Sequence, residues 1–196
     1  MLTIHTADAV LGHPGHQAVL VDGGRIVAIG SPEGLTVTHL RARVRRWPGL
    51  LTPGLREPAA AALLQAAYHP DPREAAELGT EPLTGDELAA LGMDETRWGH
   101  SARRGLQRLL SRGTTAVTGP FERPAVRTAV TRSGLRVREP APAGDPVPEL
   151  VYDGELKVGS PADFAVFAIK GKKLTPDDTP RCVATVLGGR LLYRRA

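Results

Sequence analysis

Six histidines and one cysteine are the side chains of this 196-residue chain best suited to metal or nucleophilic chemistry. His13 and His16 lie three residues apart in His13-Pro14-Gly15-His16, a spacing that two ligands of one divalent cation can use. No third ligand is near them in sequence, and the Pro-Gly between them marks a surface turn that explains both. His5 and His39 are isolated, and His69 precedes Pro70 in a Pro- and Gly-rich stretch. His100 stands near a helix start with Asp94 and Glu95, where an acid/base pair is conceivable and helix capping is the better explanation of the acids. Cys182 sits in an apolar run and reads as a small buried hydrophobe. A single cysteine excludes an internal disulfide and fits a reducing compartment. Gly-x-Ser-x-Gly, phosphate-loop and Cys-x-x-Cys patterns do not occur.

The elements that would position these groups fall into three parts. The opening is strand-rich. Residues 2–11 alternate, 18–21 and 25–29 flank the hairpin signal Asp22-Gly23-Gly24, and 42–47 form another short strand. Three or four such strands cannot close a core alone, so they need partners. The end supplies them: a strand near 164–167, a strand over 181–187, the turn Gly188-Gly189 and a return over 190–193. Between them lies a helix-rich middle. Residues 56–68 are rich in Ala and Leu, 69–85 read as loop, and Thr84-Gly85-Asp86-Glu87 can cap a short helix to Leu91. Residues 98–111 form an amphipathic helix with Leu106, Leu109 and Leu110 on one face. Thr114-Thr115-Ala116-Val117 is strand-like, 122–133 is a helix, and Gly134-Leu135-Arg136-Val137 is a further strand. A Pro-rich linker over 139–148 follows.

Pro48-Gly49-Leu50-Leu51 resembles the start of the barrel in metal-dependent amidohydrolases. There the pattern continues Asp, any residue, His, any residue, His, and the histidines bind the catalytic metal. Here Thr52 stands at the Asp position, and Gly54 and Arg56 stand at the two His positions. Neither Gly nor Arg offers a divalent cation a side-chain lone pair. The resemblance extends to both ends. Residues 21–30 are similar to the family's opening hairpin. Gly154, Leu156, Gly159, Ala162 and Asp163, then Val186, Gly188, Gly189 and Tyr193, are similar to its closing segment. Gly113-Thr114-Thr115-Ala116-Val117 and Gly134-Leu135-Arg136 resemble its second and third barrel strands. Imidazolonepropionases and aminodeoxyfutalosine deaminases are the nearest members by this resemblance.

What it implies is an α/β plus β fold. Residues 1–52 plus 147–196 would form a composite β-sandwich. Residues 53–146 would form a truncated (β/α)-barrel-like lobe of about three parallel strands, since a full barrel takes roughly 250 residues. The family's later metal and catalytic groups then have no place, and Asp145 is the one candidate relic. The implied function is an imidazolonepropionase-like protein, catalytically degenerate, without metal or other cofactor, that binds a small ligand or a partner. The alternative is an active hydrolase of carbon–nitrogen, non-peptide bonds with an atypical site drawn from His13, His16 and Asp145, or from His5 and His39. A broken barrel also leaves open edges and a bare inner face. Leu50, Leu51, Val117, Leu135 and Val137 would be partly bare, so a homodimer or a protein partner is expected unless a helix over 58–68 folds across.

Charge excludes less than it suggests. The net charge is +4, and the lysines are only Lys157, Lys170, Lys172 and Lys173. An Arg-, Ala-, Gly- and Pro-rich composition is what a GC-rich genome encodes. Arg41, Arg43 and Arg45 alternate, and Arg104, Arg108 and Arg112 share a helix face. Solvated faces explain both sets, and with no nucleic-acid-reading motif a nucleic-acid role is not expected. No apolar run reaches the roughly 20 residues of a membrane span, and the first residues lack a secretory pattern, so a cytoplasmic location is expected.

Overall fold

A computed structural model describes residues 1–142 and 148–195. The chain opens with strands β1 (Leu2–Thr6), β2 (Ala9–Val10), β3 (Ala18–Asp22) and β4 (Arg25–Gly30), then helix α1 (Pro32–Thr38). Strands β5 (Arg43–Arg46), β6 (Leu50–Pro53) and β7 (Leu55–Glu57) follow. The middle holds α2 (Ala60–Gln65), α3 (Ala75–Leu78), α4 (Gly85–Ala89), α5 (Glu95–Ser111), β8 (Thr114–Thr118), α6 (Pro124–Ser133) and β9 (Arg136–Arg138). The last strands are β10 (Phe164–Phe167), β11 (Cys182–Leu187) and β12 (Arg190–Arg194). Sheets and helices are thus mixed, an α/β fold. Among the described residues no helix is long and apolar enough to cross a membrane.

The chain divides into two compact units, Met1–Arg56 with Leu110–Thr115 and Pro148–Ala196, and Glu57–Leu109 with Ala116–Val147. The first unit holds a four-stranded sheet of order β4-β3-β1-β5 and a five-stranded sheet of order β12-β11-β10-β6-β2. The second sheet joins both ends of the chain, because β6 pairs antiparallel with β10, Leu51 opposite Val166. Alternation along the strands sends side chains to opposite faces. One face of each sheet contributes to a common core: Val19, Val21 and Ile26 from the first, Leu51, Phe164, Val166, Ala184 and Val186 from the second. On its other face the first sheet packs Ile4, Ala18 and Leu20 with Leu35 of α1. The other face of the second packs Leu50, Ala165, Phe167 and Cys182 with Leu55 and Leu174. Each such Leu or Phe contributes about 1.5–3 kcal/mol by leaving water.

In the second unit α5 buries Trp98, Ala102, Leu106 and Leu109, the apolar stripe of an amphipathic helix. Strand β8 pairs in parallel with β9, Val117 beside Val137, and α6 connects them. Helix α6 ends at Gly134 in the left-handed conformation, φ 75°.

Four expectations are corrected. The alternating stretch 2–11 is not one strand. The chain breaks at Ala7-Asp8 and passes from one sheet to the other, held by Gly49 N–H donating to Asp8 Oδ2 at 2.7 Å. Leu50 and Leu51 do not begin a parallel barrel sheet. They lie in β6, and it is β7 that neighbours β8, in a three-stranded sheet of order β7-β8-β9. The Ala-rich helix is six residues long, because the chain leaves it at Ala66 and Tyr68 bridges Leu83 instead. Finally, Leu50, Leu51, Val117 and Leu135 are buried, and only Val137 is bare, at 54% exposed. Leu50 and Leu51 face opposite sides of a sheet that is covered on both.

Candidate functional site

The corner that follows β6 is where the sequence pattern would put metal ligands. Thr52 is fully buried, opposite Ala165 in β10, and its Oγ1 donates to the Pro53 carbonyl at 2.7 Å. Gly54 is stitched into the closing segment. Its N–H donates to Asp163 O at 3.1 Å, and its carbonyl accepts Asp153 N–H at 2.7 Å. Leu55 N–H donates to Gly113 O and Arg56 N–H to Val151 O. A β-carbon built on Gly54 would lie 2.6 Å from Thr115 Cβ and nearer still to its Oγ1 and Cγ2. The room that a first histidine would need is therefore filled by Thr115. Thr115 Oγ1 and Arg56 Nε are both buried without a hydrogen-bond partner. These residues do not fit a divalent cation: Gly54 and Arg56 offer no lone pair, and Thr52 offers one neutral hydroxyl where a site needs several imidazole, thiolate or carboxylate ligands.

The other family-like residues turn out to be joints of the fold. Asp163 Oδ1 accepts Gly188 N–H at 2.5 Å, Gly189 N–H donates to Ala162 O at 3.0 Å, and Ala162 N–H donates to Gly24 O at 2.8 Å. The Gly23-Gly24 hairpin, Ala162-Asp163 and Gly188-Gly189 thus meet at one place. At Gly189 a β-carbon would collide with the Gly23 carbonyl.

The histidines are dispersed. His5 is buried, accepts the Trp47 indole N–H on Nδ1 at 3.2 Å, and meets Phe164 edge-on at 4.9 Å. Burial, then the positive charge of Arg45, pushes its pKa down to about 3, so it is neutral at neutral pH. His39 closes α1, its N–H on Leu35 O. His69 is buried, with Nε2 at 3.0 Å from Leu63 O and Nδ1 without a partner, and burial lowers its pKa. His100 lines a groove between α5 and α6 with Glu95 and Arg103. Its two acidic neighbours are caps: Asp94 Oδ1 accepts Arg97 N–H at 2.6 Å and Glu95 Oε2 accepts Ala125 N–H at 3.2 Å.

His13 and His16 are brought together, with ring centroids 6.3 Å apart. His13 Nε2 lies 2.6 Å from the Leu156 carbonyl, which leaves Nδ1 as its open nitrogen. Two hollows flank His13. One, of about 370 Å³, is lined by Asp8, His16, Gln17 and Lys172. The other, of about 430 Å³, is lined by Pro53, Tyr152, Glu155, Leu156 and Lys157. Asp145 lies outside the described residues. Among the described residues no three or more His, Cys, Asp or Glu side chains gather as a metal site. Cys182 is buried, its Sγ 3.4 Å from the Ala184 carbonyl, and burial raises its pKa.

Sequence reasoning missed a polar network in the second unit. Tyr68 OH donates to Glu74 Oε2 at 2.5 Å. Arg97 pairs with Glu74 Oε1 at 3.0 Å and lies 4.8 Å from the Tyr68 ring centroid. Arg104 stands 5.6 Å from the same ring and pairs with Asp71 at 3.3 Å. Its hydrogen bond with Tyr68, then its bonds to Asp71 and Arg97, holds the Glu74 carboxyl below its ordinary pKa. The one signal in the sequence was the seven-residue, two-turn spacing of Arg97 and Arg104 on α5.

No protein-family description matches the sequence, and neither does any curated protein. Among solved structures the chain is similar to A. niger ochratoxinase, at TM-score 0.45 and 20% identity over 70% of this chain and 31% of that one. It is similar to guanine deaminase from Bradyrhizobium japonicum, at 0.42 and 17%, over 71% and 34%. It is also similar to Helicobacter pylori aminofutalosine deaminase, at 0.44 and 16%, over 71% and 33%. Each of these matches covers about 70% of this chain. The chain spans about a third of the length of each of these three.

Proposed function

We propose that this chain is an amidohydrolase-like, imidazolonepropionase-like protein that has lost the family's metal chemistry and works as a binding module. In this reading residues 1–52 and 147–196 are the composite β-sandwich, and 53–146 are what is left of a (β/α) barrel. The observation that carries it is the packing of Gly54 against Thr115, which fills the place of the first metal-binding histidine. A cation site there would need both a different side chain and a different neighbour.

The ligand site in this reading is the pair of hollows beside His13. The larger has a volume within the roughly 300–1,000 Å³ of small-molecule sites. It offers apolar walls in Pro53 and Leu156, and polar groups in His13, Tyr152, Glu155 and Lys157. That mixture suits a small molecule with both hydrogen-bond donors and acceptors.

Elemental analysis of protein purified without chelator or affinity tag tests the reading. The expected result is well under one equivalent of zinc, iron or manganese. A stoichiometric metal that disappears when His13 and His16 are both changed to Ala would overturn it in favour of a hydrolase with an atypical site.

A further inference from the structure

The open edge of the four-stranded sheet lies close to the edge strand of the other sheet. Strand β5 is the last in the order β4-β3-β1-β5, paired in parallel with β1 on one side only. Trp47 N–H donates to Thr6 O across that pair at 2.9 Å. Alternation then turns the N–H and C=O of Val44 and Arg46 to the outer side, where no described strand pairs with them.

Arginines crowd this edge. Arg43 is exposed and Arg45 half-buried, two residues apart on β5, so they share a face. Arg45 stands beside His5 in the register, and the Trp47 ring lies near-parallel to His5 with centroids 6.2 Å apart. The exposed Arg194 of β12, the edge strand of the other sheet, lies 5.9 Å from the Trp47 ring centroid. Guanidinium groups from two sheet edges therefore gather at one place. Burial first, then the like charges of Arg43 and Arg194, lower the pKa of Arg45. None of the three arginines is in an ion pair among the described residues. Charged edge strands protect against unwanted pairing, and one or two arginines do that. A third from a different sheet, brought against the first two without a carboxylate, adds repulsion that edge protection does not call for.

We propose that this edge binds an extended acidic segment of a partner protein, which adds as a strand beside β5 with carboxylates at alternate positions. The match is geometric. Carboxylates two residues apart in a strand are roughly 6.6 Å apart, the same step that separates Arg43 from Arg45. Opposite charges on neighbouring strands attract, and the outward N–H and C=O groups of Val44 and Arg46 supply the main-chain bonds. A nucleic acid fits less well. The Trp47 ring is held by its N–H bond to His5 and has the Arg194 guanidinium over it, so it is not an open platform for a base. The proposal holds whether or not the chain hydrolyses anything.

Fluorescence anisotropy with the unaltered full chain tests it. The probe is a labelled ten-residue peptide alternating Glu with Thr. Its comparison peptides are the same sequence N-methylated at every second residue, which keeps the charge and removes strand hydrogen bonds, and a ten-nucleotide oligothymidine. The expected result is saturable binding of the alternating peptide, at least tenfold weaker for the N-methylated one, and weaker still for the oligonucleotide. Arg43→Gln with Arg45→Gln should weaken peptide binding at least tenfold, with circular dichroism unchanged. Equal binding of the N-methylated peptide, tighter binding of the oligonucleotide, or no binding of the alternating peptide would each overturn the proposal. The peptide comparisons use the native chain, so the test stands even where the double variant fails to fold.

Discussion

At Gly54 a single hydrogen in place of a side chain decides what the corner after β6 can do. The neighbour that fills the space, Thr115, comes from a distant strand, so the missing histidines were legible in the sequence while the closed space was not. Gly54→Ala is expected to destabilise by about 1–3 kcal/mol, the range for overpacking a tight site. Thr115→Ala should recover only part of that loss: Oγ1 and Cγ2 leave, but Cβ stays 2.6 Å from the added methyl. Urea unfolding of the two single variants and the double variant measures it. Additive effects would contradict the packing described.

His5 gives a second residue-scale prediction. Its folded pKa of about 3 lies below the ordinary value of 6.5. The unfolded chain therefore binds a proton that the folded chain refuses, throughout the window between those values. Stability falls as pH drops from about 6.5 toward 3, by up to about 1.4 kcal/mol per pH unit. His5→Gln keeps an acceptor for Trp47 and removes the titration. Its stability should fall less steeply than that of the parent between pH 6.5 and 4. Parallel curves would mean that His5 is protonated in the folded chain.

The elements show where sequence patterns suffice and where they do not. Helix α5 was visible from its apolar stripe, and the hairpins at Gly23-Gly24 and Gly188-Gly189 from their glycines. Helix α1 was overlooked, although Ser31 followed by Pro32 is a capping signature, and Ser31 Oγ does accept Gly34 N–H at 3.1 Å. The pattern around Leu50-Leu51 points to a parallel barrel sheet, whereas β6 pairs with β10. Two-sided burial looks the same in any fully covered strand, and pairing with β10 depends on residues at the far end of the chain. Composition makes the Ala-rich stretch after β7 look like a longer helix than it is, because it reports propensity and not the Tyr68–Leu83 bridge.

Helix α5 also carries its own prediction. Gly105 lies in mid-helix, where Ala would ordinarily be better by about 1 kcal/mol. Here a β-carbon would fall 2.6 Å from His69 Nε2 and 2.7 Å from Leu64 Cδ2. His69 is buried and engaged with the Leu63 carbonyl, so it cannot move aside cheaply. Packing is expected to win, and Gly105→Ala should lower the thermal midpoint. A raised midpoint would show that α2 and the His69 loop yield readily.

On the scale of the whole molecule, the motifs that resemble amidohydrolases are the ones that tie the two ends of the chain together. Asp163, Gly188 and Gly24 hold hydrogen bonds at that joint, and the chemistry-bearing positions of the pattern are the ones that have changed. Architecture and chemistry rest on different residues here, which is the ground of the proposed binding role. The apolar residues expected to lie bare on a broken barrel are covered apart from Val137, so a second copy is not needed to bury them. The proposed partner surface is the arginine-lined edge of β5.

The most direct test restores the missing ligands. In Gly54→His with Arg56→His, the family's His-x-His pattern is rebuilt in the native chain, and zinc is titrated into it calorimetrically after its folding is checked. With Thr115 filling the corner, the expected result is a less stable protein that takes up no stoichiometric zinc. One equivalent of zinc bound tightly by a variant as stable as its parent would contradict the closed corner and, with it, the proposed loss of metal chemistry.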